Sequence, residues 1–269
     1  MNRLAYTSLL SFVLLAVVMS LGTSARGQQK AHPLDPVRQM AQKSLRHIQA
    51  NVDDYTALFT KRCRVNGELG ELQYANLKIR NRKIQSGDVT TPMGVYLKFL
   101  KPNSVKGREI IWAESQNGGK LVAHDTGLFN LISVKLDPNG IVAMRGQRYP
   151  ITEIGIEKIT EKLIETVERD RQYGECEVKF FKNAKIGNAS CTMVQVIHPV
   201  QREYFDFYCA RVYFDDELKM PVRYAAWSWP STPGKQPLLE EEYTYRQVRV
   251  NVGLTDEAFE TSNSEYQFR

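Results

Sequence analysis

The sequence predicts a mainly β (α+β) protein: a large curved antiparallel sheet or half-open β-barrel, covered by an N-terminal helix and a mid-chain helix. Three observations carry this expectation. From Tyr55 to Asn251, polar and apolar residues alternate with a period of two through about a dozen short segments. Turn signals such as Asn66-Gly67, Asn117-Gly118-Gly119 and Gly187-Asn188 separate them at close spacing, which fits an antiparallel meander rather than βαβ units. Two stretches switch to helical spacing, one before the first strand and one in mid-chain.

Asp35-Pro36 reads as a helix start, with Asp as N-cap and Pro at the first helical position, and the helix runs from Pro36 to about Val52. Val37, Met40, Ala41, Leu45 and Ile48 form its apolar face. Strands are then expected over Tyr55–Val65, Glu71–Arg82, Val95–Phe99, Glu109–Glu114, Lys120–Asp125, Leu131–Leu136 and Ile141–Arg145. In the second of these, Ala75, Leu77 and Ile79 point to one face. Thr152 can cap the second helix, whose stripe is Ile156, Ile159, Leu163, Ile164 and Val167, with charged residues opposite. Strands resume at Glu175–Ile186, Ala189–His198, Tyr204–Asp215, Val222–Trp229 and Leu239–Asn251, and Leu254–Phe259 reads as a short helical turn.

The N-terminus carries an address. Arg3 is the only charged residue before Arg26, the run Leu9–Leu21 is apolar, and small residues follow to Gly27. This describes a secretory signal peptide over residues 1–27, followed by a polar linker over 28–35, one domain over 36–260 and a polar tail over 261–269. The competing reading is an uncleaved N-terminal anchor. Removing residues 1–27 leaves 34 basic against 30 acidic side chains, a charge of +4. So mild a basic balance gives no case for nucleic acid and allows transient contact with an anionic membrane surface. A hydrophobic content of 42% and a charged content of 25% exclude a disordered chain and a polytopic membrane protein.

Five groups of residues stand out as motifs: Asp54-Tyr55-Thr56-Ala57 with Lys61-Arg62, Val95-Tyr96-Leu97-Lys98-Phe99, Gly107-Arg108-Glu109-Ile110-Ile111-Trp112, Gly119-Lys120-Leu121-Val122-Ala123-His124, and Tyr149-Pro150-Ile151-Thr152-Glu153-Ile154-Gly155-Ile156. Together they resemble an exported bacterial family, the DUF1571 proteins. The order of elements is similar to the lipoprotein-carrier superfamily, with LolA, LolB and the N-terminal domain of RseB. That resemblance implies a half-open barrel that binds acyl chains between a concave sheet and its helices, as an analogy of fold.

No catalytic set is visible. The histidines do not cluster, and no HExxH, Gly-x-Ser-x-Gly, Walker A or Gly-x-Gly-x-x-Gly motif occurs. His124-Asp125 is the one pair to examine for acid/base work. No metal or cofactor is expected. Among the cysteines, Cys191 and Cys209 could face each other on neighbouring strands, whereas Cys191 falls opposite about Ala184 in its own hairpin, away from Cys176.

The strongest pattern is aromatic. Phe205 and Phe207 share one face of their strand, Trp227 and Trp229 one face of the next, and Tyr243 and Tyr245 one face of the third. These six are the expected lining of a ligand cavity, the competing reading being a solid core. The expectation is an exported, periplasmic, non-enzymatic protein that binds a lipid or acylated ligand. The rival is an envelope module that uses the same fold to contact another protein.

Overall fold

The computed structural model describes residues 31–125, 132–232 and 234–268. The expected signal peptide and Leu131 lie outside them.

Helix α1 (Asp35–Asn51) opens the domain. Asp35 is its first residue rather than its cap: its carboxylate accepts from the His32 backbone N–H and pairs with Arg171. Residues 32–35, expected as linker, are tied down, with Leu34 buried and the His32 ring against the Tyr173 carbonyl. The buried face of α1 is Val37, Ala41, Ser44 and Ile48. Ser44 belongs there because its hydroxyl donates to the Lys219 carbonyl at 2.9 Å.

The strands follow in chain order: β1 (Asp54–Val65), β2 (Glu68–Leu69), β3 (Gln73–Arg80), β4 (Lys83–Gln85), β5 (Asp88–Thr91), β6 (Gly94–Lys101), β7 (Glu109–Ala113), β8 (Leu121–His124) and β9 (Ser133–Leu136). Helix α2 (Ile156–Asp170) intervenes before β10 (Glu177–Ile186), β11 (Ala189–Ile197), β12 (Cys209–Asp215), β13 (Pro221–Trp227) and β14 (Leu239–Val250). One large antiparallel sheet runs β10-β11-β12-β13-β14-β1-β3-β6-β7-β8-β9, with β2 on β1, while β4 and β5 form a separate hairpin. The first and last strands of the domain pair in its middle, and the edges β9 and β10 do not meet. The fold is thus mainly β, a large curved antiparallel sheet left open, with two helices.

Several expected elements differ. Residues 141–145 are turns and not a strand, because the Met144 N–H folds back to the Gly140 carbonyl instead of reaching a neighbouring strand. Thr152 lies in a 3₁₀ turn, and α2 starts four residues later behind Gly155 (φ 127°). The strand expected from Tyr204 begins at Cys209, and that expected to Trp229 ends at Trp227. Phe205, Phe207 and Trp229 are therefore on connections.

Register assigns the faces. Phe59 on β1 stands opposite Tyr245 and Ala75, and Lys61 opposite Tyr243 and Gln73, so these residues share the concave side. Ala75, Leu77 and Ile79 lie there as expected, buried under α2 and its preceding turn. On the convex side of β6–β8, the C-terminal residues dock: Phe259 and Ala258 cluster with Tyr96, Ile111 and Ala113, and Tyr266 stacks on Tyr96 at 4.1 Å. The segment expected as a polar tail therefore packs through its aromatics. Gly94 makes the approach possible, since a Cβ there would stand 2.7 Å from the Phe259 ring.

Candidate functional site

Between the concave sheet and α2 lies a cavity of about 1310 Å³. Its walls come from nearly the whole sheet: Phe59 on β1, Leu97 and Phe99 on β6, Ile110 on β7, Ala123 on β8, Leu136 on β9. Val194 and Val196 on β11, Val212 on β12, Tyr224 and Ala226 on β13, and Tyr243 and Tyr245 on β14 complete it. The roof is Leu34 just before α1 and Val37 in it, with Ile159, Leu163 and Val167 of α2. Helix α2 thus covers the space, as its stripe predicts, but Ile159 and Leu163 stay half-buried because they face the cavity rather than the sheet. At the mouth, Ile132, Val134 and Val142 are exposed, and Ile141 beside them is 92% exposed.

Two tyrosines of the sheet hold the roof in place. The Gly155 N–H donates to the Tyr245 hydroxyl at 3.2 Å, and the Ile156 N–H donates to the Tyr55 hydroxyl at 2.8 Å. They satisfy two donors at the helix start, those of the cap Gly155 and the first residue Ile156, a task expected of Thr152. A side chain on Gly155 would meet Ile79 and the Tyr55 hydroxyl at 3.2 Å, and its φ disfavours one in any case.

One side of the cavity is polar. Glu241 is buried and accepts from the hydroxyls of Tyr149 (3.2 Å) and Tyr243 (3.1 Å), with Arg148 at 3.5 Å. Burial pushes its carboxyl above the usual carboxylate range, against Arg148 and the two hydroxyls, which pull it down. Arg148 also reaches Glu240, Arg108 pairs with Asp125 at 2.7 Å, and Lys158 with Glu161 at 2.8 Å. Lys61 projects from β1 into the same region and donates to the Gln147 side-chain oxygen. Desolvation lowers its ammonium to about 8, with Cys63 opposing and Arg108 adding to the fall.

Of the six aromatics expected to line a cavity, Phe207, Tyr243 and Tyr245 do so. Trp227 is on the convex side, under the Arg211 guanidinium at 5.1 Å, because the cavity-facing positions of β13 are Tyr224 and Ala226. Trp229 lies past the strand end and donates its indole N–H to the His198 carbonyl at 3.0 Å. Phe205 stacks on the His198 ring at 3.8 Å, outside the cavity lining. The lining that sequence reasoning missed is largely Val, Ile, Leu and Ala of the opposite parity, together with Lys61, whose position between Phe59 and Cys63 on an apolar strand face was the available signal.

His124 and Asp125 point to different sides of the sheet. His124 is buried on the convex side near Phe268, whereas Asp125 lines the cavity and binds Arg108. A second histidine, His198, is buried with Nε2 at 3.5 Å from Asp170, which burial lifts to about 6 against Arg169. Burial lowers the His198 imidazolium. All four cysteines are free thiols. Cys191 stands opposite Asp215 and Cys209 opposite Ile197, so the pairing considered for them is out of register, while Cys191 does face Ala184. Among the described residues no three or more His, Cys, Asp or Glu side chains gather as a metal site.

An open antiparallel half-barrel with an internal apolar cavity under a helix is the class that fold and site define. The chain matches the family described as "Protein of unknown function (DUF1571)" over residues 52–268 and belongs to it. No curated protein matches its sequence. Among solved structures, it is similar to the Pseudomonas aeruginosa MucA/MucB complex (TM-score 0.44, 11% identity, 84% of this chain and 60% of that one). It is also similar to lipoprotein LppX of Mycobacterium tuberculosis (0.42, 13%, 82% and 98%) and to a LolA superfamily protein of Nitrosomonas europaea (0.32, 10%, 83% and 96%). These are distant resemblances of fold and say nothing of the ligand.

Proposed function

We propose that this protein is exported to the periplasm and binds the acyl portion of a lipid or lipidated ligand in the cavity, without carrying out a reaction on it. The cavity itself carries the reading: about 1310 Å³, walled by aliphatic and aromatic side chains. Pockets for small molecules span roughly 300–1,000 Å³, so this one suits a long apolar ligand. Each buried methylene contributes ~0.8 kcal/mol, so roughly ten suffice for micromolar affinity before ordering costs. The exposed Ile132, Ile141 and Val142 at the mouth are apolar surface that an entering chain would cross. Export is supported by the apolar run Leu9–Leu21 and the small residues after it. Among the described residues no helix is long and apolar enough to cross a membrane.

Native mass spectrometry of protein isolated from its own envelope, with N-terminal sequencing, tests both parts. A bound lipid mass and a first residue near Gln28 are expected. Protein that carries no lipid and shows no heat on titration with fatty acids would remove the cavity reading, and recovery of intact Met1-Asn2-Arg3 would remove the processed leader. One observation favours the envelope-protein reading as a second: among the described residues nothing pairs with the outer edge of β10, where Phe180 and Phe181 are exposed, and an extended partner segment could add a strand there.

A further inference from the structure

We propose that the ligand carries an anionic head group, a carboxylate or a phosphate, and that Lys61 is the cation that receives it inside the cavity. This rests on the acyl-cavity reading and adds the chemistry of the polar end.

Of the other cations around the cavity, Arg108 pairs with Asp125, Arg148 with Glu240 and Glu241, and Lys158 with Glu161, while Arg145 and Lys162 are exposed to water, Lys162 over the Tyr149 ring at 4.0 Å. Lys61 has no carboxylate partner. Its hydrogen-bond partner is the neutral side-chain amide of Gln147, and of the groups that act on its ammonium, Cys63 favours the charge and Arg108 repels it. No Asp or Glu occurs in residues 1–30 or 126–131, so the chain outside the described residues supplies no carboxylate side chain either. A cation taken out of water without a counter-charge is costly, and an anion of the ligand would remove that cost. The site is also placed for it. Lys61 shares the concave face with Phe59, and the cavity continues past Phe99 and Ile110 as apolar wall. A head group at Lys61 therefore leaves its chain in apolar surroundings.

Protonation gives the proposal a second handle. The groups facing Lys61 are Cys63 on its own strand, Arg108 ahead of β7, Gln147 from the turn region, Gln73 on β3 and Tyr243 on β14. Tyr243 stays neutral through the range, because burial raises its hydroxyl far above the usual value. With the Lys61 ammonium at about 8 in the empty cavity, anion binding should weaken as pH rises past that value.

The test is calorimetric titration with three twelve-carbon ligands, dodecanoate, dodecyl phosphate and neutral dodecanol, at pH 7 and pH 9.5. At pH 7 at least one anion should bind tenfold or more tightly than dodecanol, and which one does so distinguishes carboxylate from phosphate recognition. The preference should shrink at pH 9.5. Lys61→Met should lose it while binding dodecanol like the parent, and Lys61→Arg should keep it. Equal affinity for anions and dodecanol in the parent, or an undiminished preference in a folded Lys61→Met, would overturn the head-group assignment and leave the cavity reading standing. Failure of all three ligands to bind would instead overturn the cavity reading, and this proposal with it. If Lys61→Met does not fold, the parent's pH dependence decides.

Discussion

The hydroxyl oxygen of Tyr55 lies 2.8 Å from the Ile156 amide, and that of Tyr245 lies 3.2 Å from the Gly155 amide. Both tyrosines are buried, so each contact replaces water at a helix end that would otherwise keep unsatisfied donors. Tyr55→Phe keeps the ring and removes the acceptor, and should cost about 1–3 kcal/mol in a denaturant titration, the desolvation penalty of one unpaired amide. A neighbouring residue of the same family motif, Asp54, accepts from the amides of Val252, Gly253 and Leu254 at 2.7–3.1 Å, which ties the end of β14 to the start of β1. Lys61 works in the opposite direction. Its ammonium falls from 10.5 to about 8 on folding, so between these values the unfolded chain holds more protons than the folded one. Stability then rises as pH increases from 8 to 10.5, and below 8 the full desolvation cost is present. Without ligand, Lys61→Met should therefore melt higher than the parent at pH 7, and the gap should close as pH approaches 10.5. A gap independent of pH would mean that the ammonium is not the source of the cost.

Helix α2 has two tasks that its amphipathic pattern merges into one. Ile156, Thr160 and Val167 are buried, Val167 packing into the core although it also borders the cavity, while Ile159 and Leu163 face the cavity and remain half-buried. Val167→Asp should lower stability by several kcal/mol, because it leaves a charge in the cluster of Leu34, Val194 and Phe214. Leu163→Asp should cost less stability but more lipid affinity, since its carboxylate can stay hydrated in the cavity until a chain arrives. Melting temperature against fatty-acid titration separates the two. If Leu163→Asp proved the more destabilising, the cavity would be filled by side chains at that point.

At the scale of the molecule, the sheet stays open because α2, and not another strand, connects β9 to β10, leaving those strands at opposite edges. The concave face cannot be filled from the sheet alone, and two helices with the turn region around Tyr149 and Ile151 cover it incompletely. The empty volume is large enough that enlarging a wall residue should be tolerated. Ala123→Phe, on the cavity face of β8, should leave melting temperature within a few degrees of the parent and abolish or weaken binding of long chains. Loss of folding in that variant would show the space to be smaller than its dimensions indicate.

Local chemistry made much of this architecture legible in the sequence. The period of two, the Asn-Gly and Gly-Asn turns and Pro36 determined strands, hairpins and the first helix, because alternation and turn dihedrals depend on neighbours only a few residues away. The same pattern showed that residues two apart share a face, and that holds for Tyr243 and Tyr245. Which of the two faces is concave was not in the pattern. Alternation is symmetric under a one-residue shift, so only pairing with β12 and β14 turned Tyr224 and Ala226 inward and Trp227 outward. Tertiary structure likewise decided the start of α2, where the hydroxyls of Tyr55 and Tyr245, about a hundred and ninety residues apart along the chain, outdo the local candidate Thr152. It also brought Lys61 and Gln147 together in the cavity, 86 residues apart in sequence, since the placement of an uncompensated charge depends on which distant strands fold around it.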